Sequence, residues 1–143
     1  MEFPVLFEIK TEEETISIAK EFSEILQQGD IVTLNGNLGA GKTFFTKEVC
    51  KNFGITNSSS PSFAIVNQYD GDCRIYHFDF YRIKKEVELA DLGFEDYIND
   101  LDAICFIEWS DMFPDVLPAE RYEVTLELKQ DNTRELKINR YER

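Results

Sequence analysis

The sequence predicts an α/β fold of the P-loop NTPase type: a mixed central β-sheet flanked by helices, with antiparallel hairpins. Three observations carry that expectation. The stretch DIVTLNGNLGAGKTFF (30–45) passes from a short apolar run through a glycine-rich loop into a helical pattern. Apolar residues at helical spacing lie on both sides of it. Near the C-terminus, two stretches alternate apolar and polar residues with period 2, as strands with one buried face do.

The elements follow in order. Thr11-Glu12-Glu13-Glu14 has the S/T-x-x-E form of a capping box, and Ile18, Phe22, Ile25 and Leu26 lie on one helix face behind it. Gly29 is a C-terminal stop. Ile31-Val32-Thr33-Leu34 reads as a short buried strand. A second helix is expected from Lys42 to Phe53, with Phe45, Val49 and Phe53 on one face and Gly54 ending it. Asn57 to Pro61 is a loop by composition. A strand from Phe63 to Tyr69, the turn signal Asp70-Gly71 and a return strand from Cys73 to about Tyr81 form a hairpin. On that return strand His77, Asp79 and Tyr81 are expected to share a face. Val87 to Asn99 predicts a short helical segment around Gly93. Ala103 to Ile107, the most apolar run, predicts a central strand ending at Glu108-Trp109. Tyr122 to Leu128 and Leu136 to Asn139 form a last antiparallel pair about Asp131-Asn132-Thr133. The count is two clear helices, a short third and about six strands, in one domain spanning 1–143.

Composition narrows the function classes. The chain carries 15 Lys and Arg against 28 Asp and Glu, a net charge of −13. This acidity argues against direct, tight nucleic-acid binding, which needs a basic footprint. Arg82-Ile83-Lys84-Lys85 is too small a patch to reverse that. No apolar run reaches the roughly 18 residues of a membrane span, and MEFPVLFEIK lacks the features of a signal peptide. Cys50, Cys73 and Cys105 are odd in number and far apart, which fits free thiols in a reducing cytoplasm and offers no metal site.

Gly36-Asn37-Leu38-Gly39-Ala40-Gly41-Lys42-Thr43 matches G-x-x-x-x-G-K-[ST] at every fixed position. In such a loop the backbone N–H groups turn inward as an anion nest, and the following helix adds the positive end of its dipole. Lys42 would reach the β- and γ-phosphates, and the Thr43 hydroxyl would hold Mg²⁺. Gly36 to Thr43 and the adjoining Phe44 are therefore the nucleotide-binding candidates. Hydrolysis also needs a carboxylate at a strand end to orient the metal or the attacking water. Asp79 and Glu108 qualify, because both stand among bulky apolar residues where an unpaired charge would be costly. They join Lys42 as catalytic candidates, and Thr43 as metal ligands. His77, the only histidine, reads as a hydrogen-bonded structural side chain. Trp109, the only tryptophan, has two readings: core, or packing beside the nucleotide or a partner surface.

With these motifs the chain resembles the TsaE (YjeE) family of small bacterial P-loop ATPases, which act in threonylcarbamoyl modification of tRNA adenosine. The resemblance runs almost end to end, through TEEET, LNGNLGAGKTFF, SPSF, YHFDFYRI, ELADLGFEDY, IEWSD and NTRELKI. It implies ATP and Mg²⁺ as ligands, with Thr43 and Glu108 on the metal and Asp79 acting on the metal or its water. It also implies that Glu12, Thr15 and Arg134 approach the nucleotide, and that Arg82 and Trp109 serve function. The implied partners are TsaD, which carries out the transfer chemistry, and TsaB, with tRNA held mainly by them. Ser62 stands where the family more often has threonine, and Ser110-Asp111 follow Trp109 where proline is commoner. Two other function classes remain open: a small nucleoside or metabolite kinase, and a nucleotide-gated binding module with negligible turnover.

Overall fold

The computed structural model describes residues 1–37, 39–58 and 64–142. Seven strands form one mixed sheet: β1 (Val5–Ile9), β2 (Ile31–Gly36), β3 (Val66–Asp70), β4 (Arg74–Asp79), β5 (Ala103–Glu108), β6 (Arg121–Leu128) and β7 (Arg134–Tyr141). Their order is β1-β7-β6-β2-β5-β4-β3. The inner four, β6, β2, β5 and β4, run parallel, while β3 and β7 pair antiparallel to their neighbours and β1 antiparallel to β7. Parallel strands need coverage on both faces. Helices α1 (Glu12–Ile25) and α2 (Lys42–Lys51) supply side chains for one face, where Phe22, Phe45 and Val49 pack with Val32, Leu34, Phe106 and Leu126. On the other face α3 (Val87–Leu92), α4 (Phe94–Ile98) and the 3₁₀ turn Phe80–Arg82 bring Leu89, Phe94 and Phe80 against Phe78, Cys105 and Ile107.

The expected helix starts are present. The Thr11 hydroxyl accepts from the Glu14 N–H at 3.3 Å, and the Glu14 carboxylate accepts from the Lys10 N–H at 3.1 Å. All six residues of β5 are buried, as its unbroken apolar run predicts.

Several boundaries differ from the sequence expectation. The described residues form seven strands rather than about six, because β1 pairs with β7 from Val5↔Ile138 to Ile9↔Arg134. The segment around Gly93 is two short helices, since Gly93 takes φ +81 and ends the first. Helix α2 stops at Lys51, two residues before Phe53. Strand β3 begins at Val66, whereas the expected Phe63 and the Asn57–Pro61 loop's last residues, with Ser62, fall outside the described residues. Strand β4 ends at Asp79, because the Asp79 carboxylate accepts from the Tyr81 N–H at 3.1 Å and starts a 3₁₀ turn. Tyr81 therefore does not share the strand face of His77 and Asp79.

Gly36, the last residue of β2, has φ +142 and lies opposite Leu126 of β6. A Cβ there would stand 1.8 Å from the Leu126 carbonyl oxygen. The chain can pass from strand to loop only as glycine. Gly39 also has positive φ (+80), but a Cβ there meets nothing within 4 Å. Gly36→Ala is therefore expected to cost more than about 3 kcal/mol or prevent folding, while Gly39→Ala costs about 1–2 kcal/mol of backbone strain. Chemical denaturation of the two variants checks the difference; equal losses would remove the close-approach explanation.

Candidate functional site

The glycine loop connects the end of a central strand to the first turn of α2, so α2 points its N-terminus at the loop. Gly41 has φ +103 and precedes the helix without a side-chain cap. The helix's leading N–H groups are thus left for a ligand. Two asparagines brace the loop from below. Asn37 spans to the end of β6, its Oδ1 accepting from the Leu128 N–H at 3.0 Å and its Nδ2 donating to the Leu128 carbonyl at 3.2 Å. Asn35 Oδ1 accepts from Ser110 Oγ at 2.8 Å and from the Asp111 N–H at 3.0 Å.

Lys42 is buried at 6% exposure. Its Nζ donates to the carbonyls of Gly36 at 2.7 Å and Asn37 at 3.2 Å, and lies 3.9 Å from the centre of the Trp109 ring. Burial pulls its pKa down, against the opposing fields of Glu108, Asp111 and Asp79. Trp109 takes the left-handed conformation at φ 59, costly for a bulky residue. Its N–H donates to Leu34, and the Asn35 bonds to the next two residues hold the turn. The exposed Tyr81 ring packs on Trp109 at 5.0 Å.

Glu108 closes β5 at 4% exposure. Thr43 Oγ1 donates to it at 3.1 Å from the start of α2, and His77 Nε2 meets its other oxygen at 2.5 Å from β4. His77 Nδ1 is buried without a partner among the described residues. Asp79 pairs in register with Glu108. Desolvation raises the Asp79 pKa most; the Tyr81 N–H bond lowers it, the Glu108 charge raises it, and Arg82, 3.5 Å away, lowers it.

Two cavities meet at the mouth of α2. The larger, about 370 Å³, is lined by the loop from Gly39 to Phe44 with Asp79, Tyr81, Glu108 and Trp109. The smaller, about 150 Å³, brings Glu12, Thr15 and Arg134 to Ala40, Gly41 and Phe44. Ala40, Gly41 and Phe44 line both. Arg134 Nε is buried without a hydrogen-bond partner among the described residues, beside Gly41. Its NH2 group lies 3.5 Å from the Gly39 carbonyl. The fold therefore gathers the sequence candidates: Lys42, Thr43, Asp79 and Glu108 on one side, Glu12, Thr15 and Arg134 on the other. Leu38 lies outside the described residues, and the Asn37 side chain is committed to Leu128 rather than to a cavity.

Three residues join the site beyond the sequence reading. His77 contacts Glu108 directly; its i, i+2 spacing from Asp79 was the available signal. Asn35 and Ser110 had none, because their contact spans 75 residues of chain. No cluster of three or more His, Cys, Asp or Glu able to cage a cation occurs among the described residues. Thr43, Glu108 and Asp79 fit a divalent ion that also takes phosphate and water oxygens, as Mg²⁺ commonly does.

A family model described as "Threonylcarbamoyl adenosine biosynthesis protein TsaE" matches residues 9–136. The tRNA threonylcarbamoyladenosine biosynthesis protein TsaE of Bacillus subtilis is 40% identical over 136 residues, 91% of this chain and 84% of that protein. Its counterpart from Rickettsia felis is 42% identical over 129 residues, 88% of this chain and 74% of that one. The crystal structure of YdiB from Bacillus subtilis aligns with a TM-score of 0.81 at 31% identity, covering 99% of this chain and 88% of that one.

His77→Ala would leave the buried Glu108 carboxylate without one of its two partners. It is expected to cost about 2–4 kcal/mol of stability. Adding Glu108→Gln should recover more than about 1 kcal/mol of that loss, because the stranded charge is gone. Denaturant midpoints of the two single variants and the double variant check this; additive losses would mean that the pair is not coupled.

Proposed function

Because the chain belongs to the TsaE family, we propose that it is a P-loop ATPase that binds and hydrolyses ATP with Mg²⁺. It supports threonylcarbamoyl modification of tRNA adenosine in the cytoplasm, as the accessory subunit of a TsaB–TsaD complex. The observation that carries the nucleotide reading is the pair of cavities meeting at the mouth of α2. One is lined by Lys42 and two carboxylates, and the other by Glu12, Thr15 and Arg134, whose buried Nε has no hydrogen-bond partner among the described residues. A nucleoside triphosphate lying over Ala40 and Gly41 would span both cavities. The phosphates would occupy the Lys42 side and the nucleoside the Glu12, Thr15 and Arg134 side.

Each residue's part follows from its chemistry. The amides at the start of α2 bind anionic oxygens. Lys42, now bonded to the carbonyls of its own loop, exchanges them for phosphate oxygens, which as anions are stronger acceptors. Thr43 and Glu108 would hold a Mg²⁺ ion, which would supply positive charge against the negative charge of the phosphates. Asp79 orients water beside them, and His77 keeps Glu108 in place. Trp109 and Tyr81 shield the Lys42 side from solvent. The acidic chain leaves tRNA to its partners, and hydrolysis resets the complex between turnovers. No helix among the described residues is long and apolar enough to cross a membrane.

Lys42→Ala is expected to weaken ATP binding roughly tenfold to a hundredfold, about 1.4–2.8 kcal/mol. Glu108→Ala should leave binding within about tenfold but lower Mg²⁺-dependent turnover by about a hundredfold or more. Calorimetric titration with ATP and phosphate release in the presence of TsaB and TsaD measure the two effects. Unchanged hydrolysis in both variants would overturn the site assignment. Repeated tRNA modification by TsaB and TsaD without ATP hydrolysis by this chain would overturn the assembly role.

A further inference from the structure

The charge of this chain is unevenly placed. Between Glu86 and Glu120 there are eleven carboxylates and no Lys, Arg or His. The other 108 residues hold 17 carboxylates against 15 Lys and Arg, so they are close to balanced. This acidic segment forms α3, α4, β5 and the two 3₁₀ turns Ser110–Met112 and Pro114–Val116. It also borders a groove of about 770 Å³ on the sheet face opposite α1 and α2.

The groove has an apolar floor and an acidic rim. Leu89 and Phe94 lie at its base, and Val87 stands 58% exposed at its edge. Glu86, Glu95, Asp96 and Asp115 line it as well, all exposed, and none forms an ion pair among the described residues. Glu95 and Asp96 stand in the first turn of α4, where the helix dipole favours carboxylates. Glu86 caps the start of α3 and Asp115 stands in the first turn of Pro114–Val116, so the rim gathers carboxylates from the starts of three separate elements. The groove is separate from the nucleotide cavities and shares no lining residue with them.

We propose that this groove docks a basic amphipathic segment of a partner protein, in which Lys or Arg alternates with aliphatic side chains. The occupant follows from charge complementarity. Long cationic side chains lay their methylene stems on an apolar floor while their heads meet carboxylates at the rim. Nucleic acid and anionic lipid carry the wrong sign. A second copy of this chain would bring the same uncompensated carboxylates. The proposal rests on the reading that the chain works within a TsaB–TsaD assembly, and it assigns the groove to that contact.

The test measures binding of the TsaB–TsaD pair to the wild-type chain and to the triple variant Glu95→Gln/Asp96→Asn/Asp115→Asn, at low and high salt. ATP affinity of the variant should match wild type and its thermal unfolding should shift by only a few degrees, because these side chains are exposed, remote from the loop and lose only weak helix-end interactions. At low salt the variant should bind the pair about tenfold or more weakly, and its affinity should fall less steeply with salt than that of wild type. Val87→Asn should weaken the contact at both salt levels. Equal binding of wild type and triple variant at low salt overturns the groove proposal while leaving the assembly intact. So does self-association or tRNA binding that the substitutions abolish without affecting the pair. Failure of the wild-type chain to bind the pair at all overturns the assembly reading, and this proposal with it.

Discussion

The arrangement turns on one buried carboxylate. Glu108 sits at the end of the most buried strand, at 4% exposure, where an unpaired charge would cost several kcal/mol, of order 3–5 when a partner is missing. Thr43 at the start of α2 and His77 on β4 each meet one of its oxygens. The three residues belong to three different elements, so satisfying Glu108 fixes how α2, β4 and β5 meet. Asp79 then faces the same corner because the β4–β5 register pairs it with Glu108. The concentration of charge at one end of the sheet is a consequence of that register, and it lies where parallel strands end and a helix begins, the usual ligand position in α/β sheets.

The glycine loop meets this corner with its lysine and asparagine side chains already engaged. Lys42 is held by two carbonyls of the loop and by the Trp109 ring, which together replace part of the hydration its buried ammonium loses. Asn35 and Asn37 tie the strand end to the Ser110 turn on one side and to β6 on the other. These ties restrict the loop before anything binds, which lowers the ordering cost of binding. The left-handed Trp109 is part of the same framework. Its strain, about 1–2 kcal/mol for a residue of this size, is offset by the Asn35 bonds and by the contact with Lys42.

The two faces of the sheet carry different chemistry. The α1–α2 face builds the main core around Phe22 and Phe45, and the Gly36–Thr43 loop emerges above it. The opposite face is covered by short helices whose segment carries eleven of the chain's carboxylates. The net charge of −13 is therefore a local property, concentrated away from the nearly balanced remainder. That separation keeps most of the acidic surface off the mouth of α2, where anionic oxygens would otherwise be repelled.

Local patterns in the sequence determined the loop, both long helices, the central strand and the final hairpin, because each depends on spacing within about ten residues. Glycine spacing, the Thr11 capping box and the unbroken run Ala103–Ile107 encode their own conformation. The pairing of β1 with β7 across the length of the chain, the break at Gly93 and the end of β4 at Asp79 needed tertiary structure. So did the bond of His77 to Glu108, 31 residues apart, and that of Asn35 to Ser110, 75 apart. A strand pattern states which side chains share a face but not which strand lies beside it. Only the assembled sheet, whose order β6-β2-β5-β4 departs from the order of the chain, brings those distant polar groups to one end and requires that they satisfy each other.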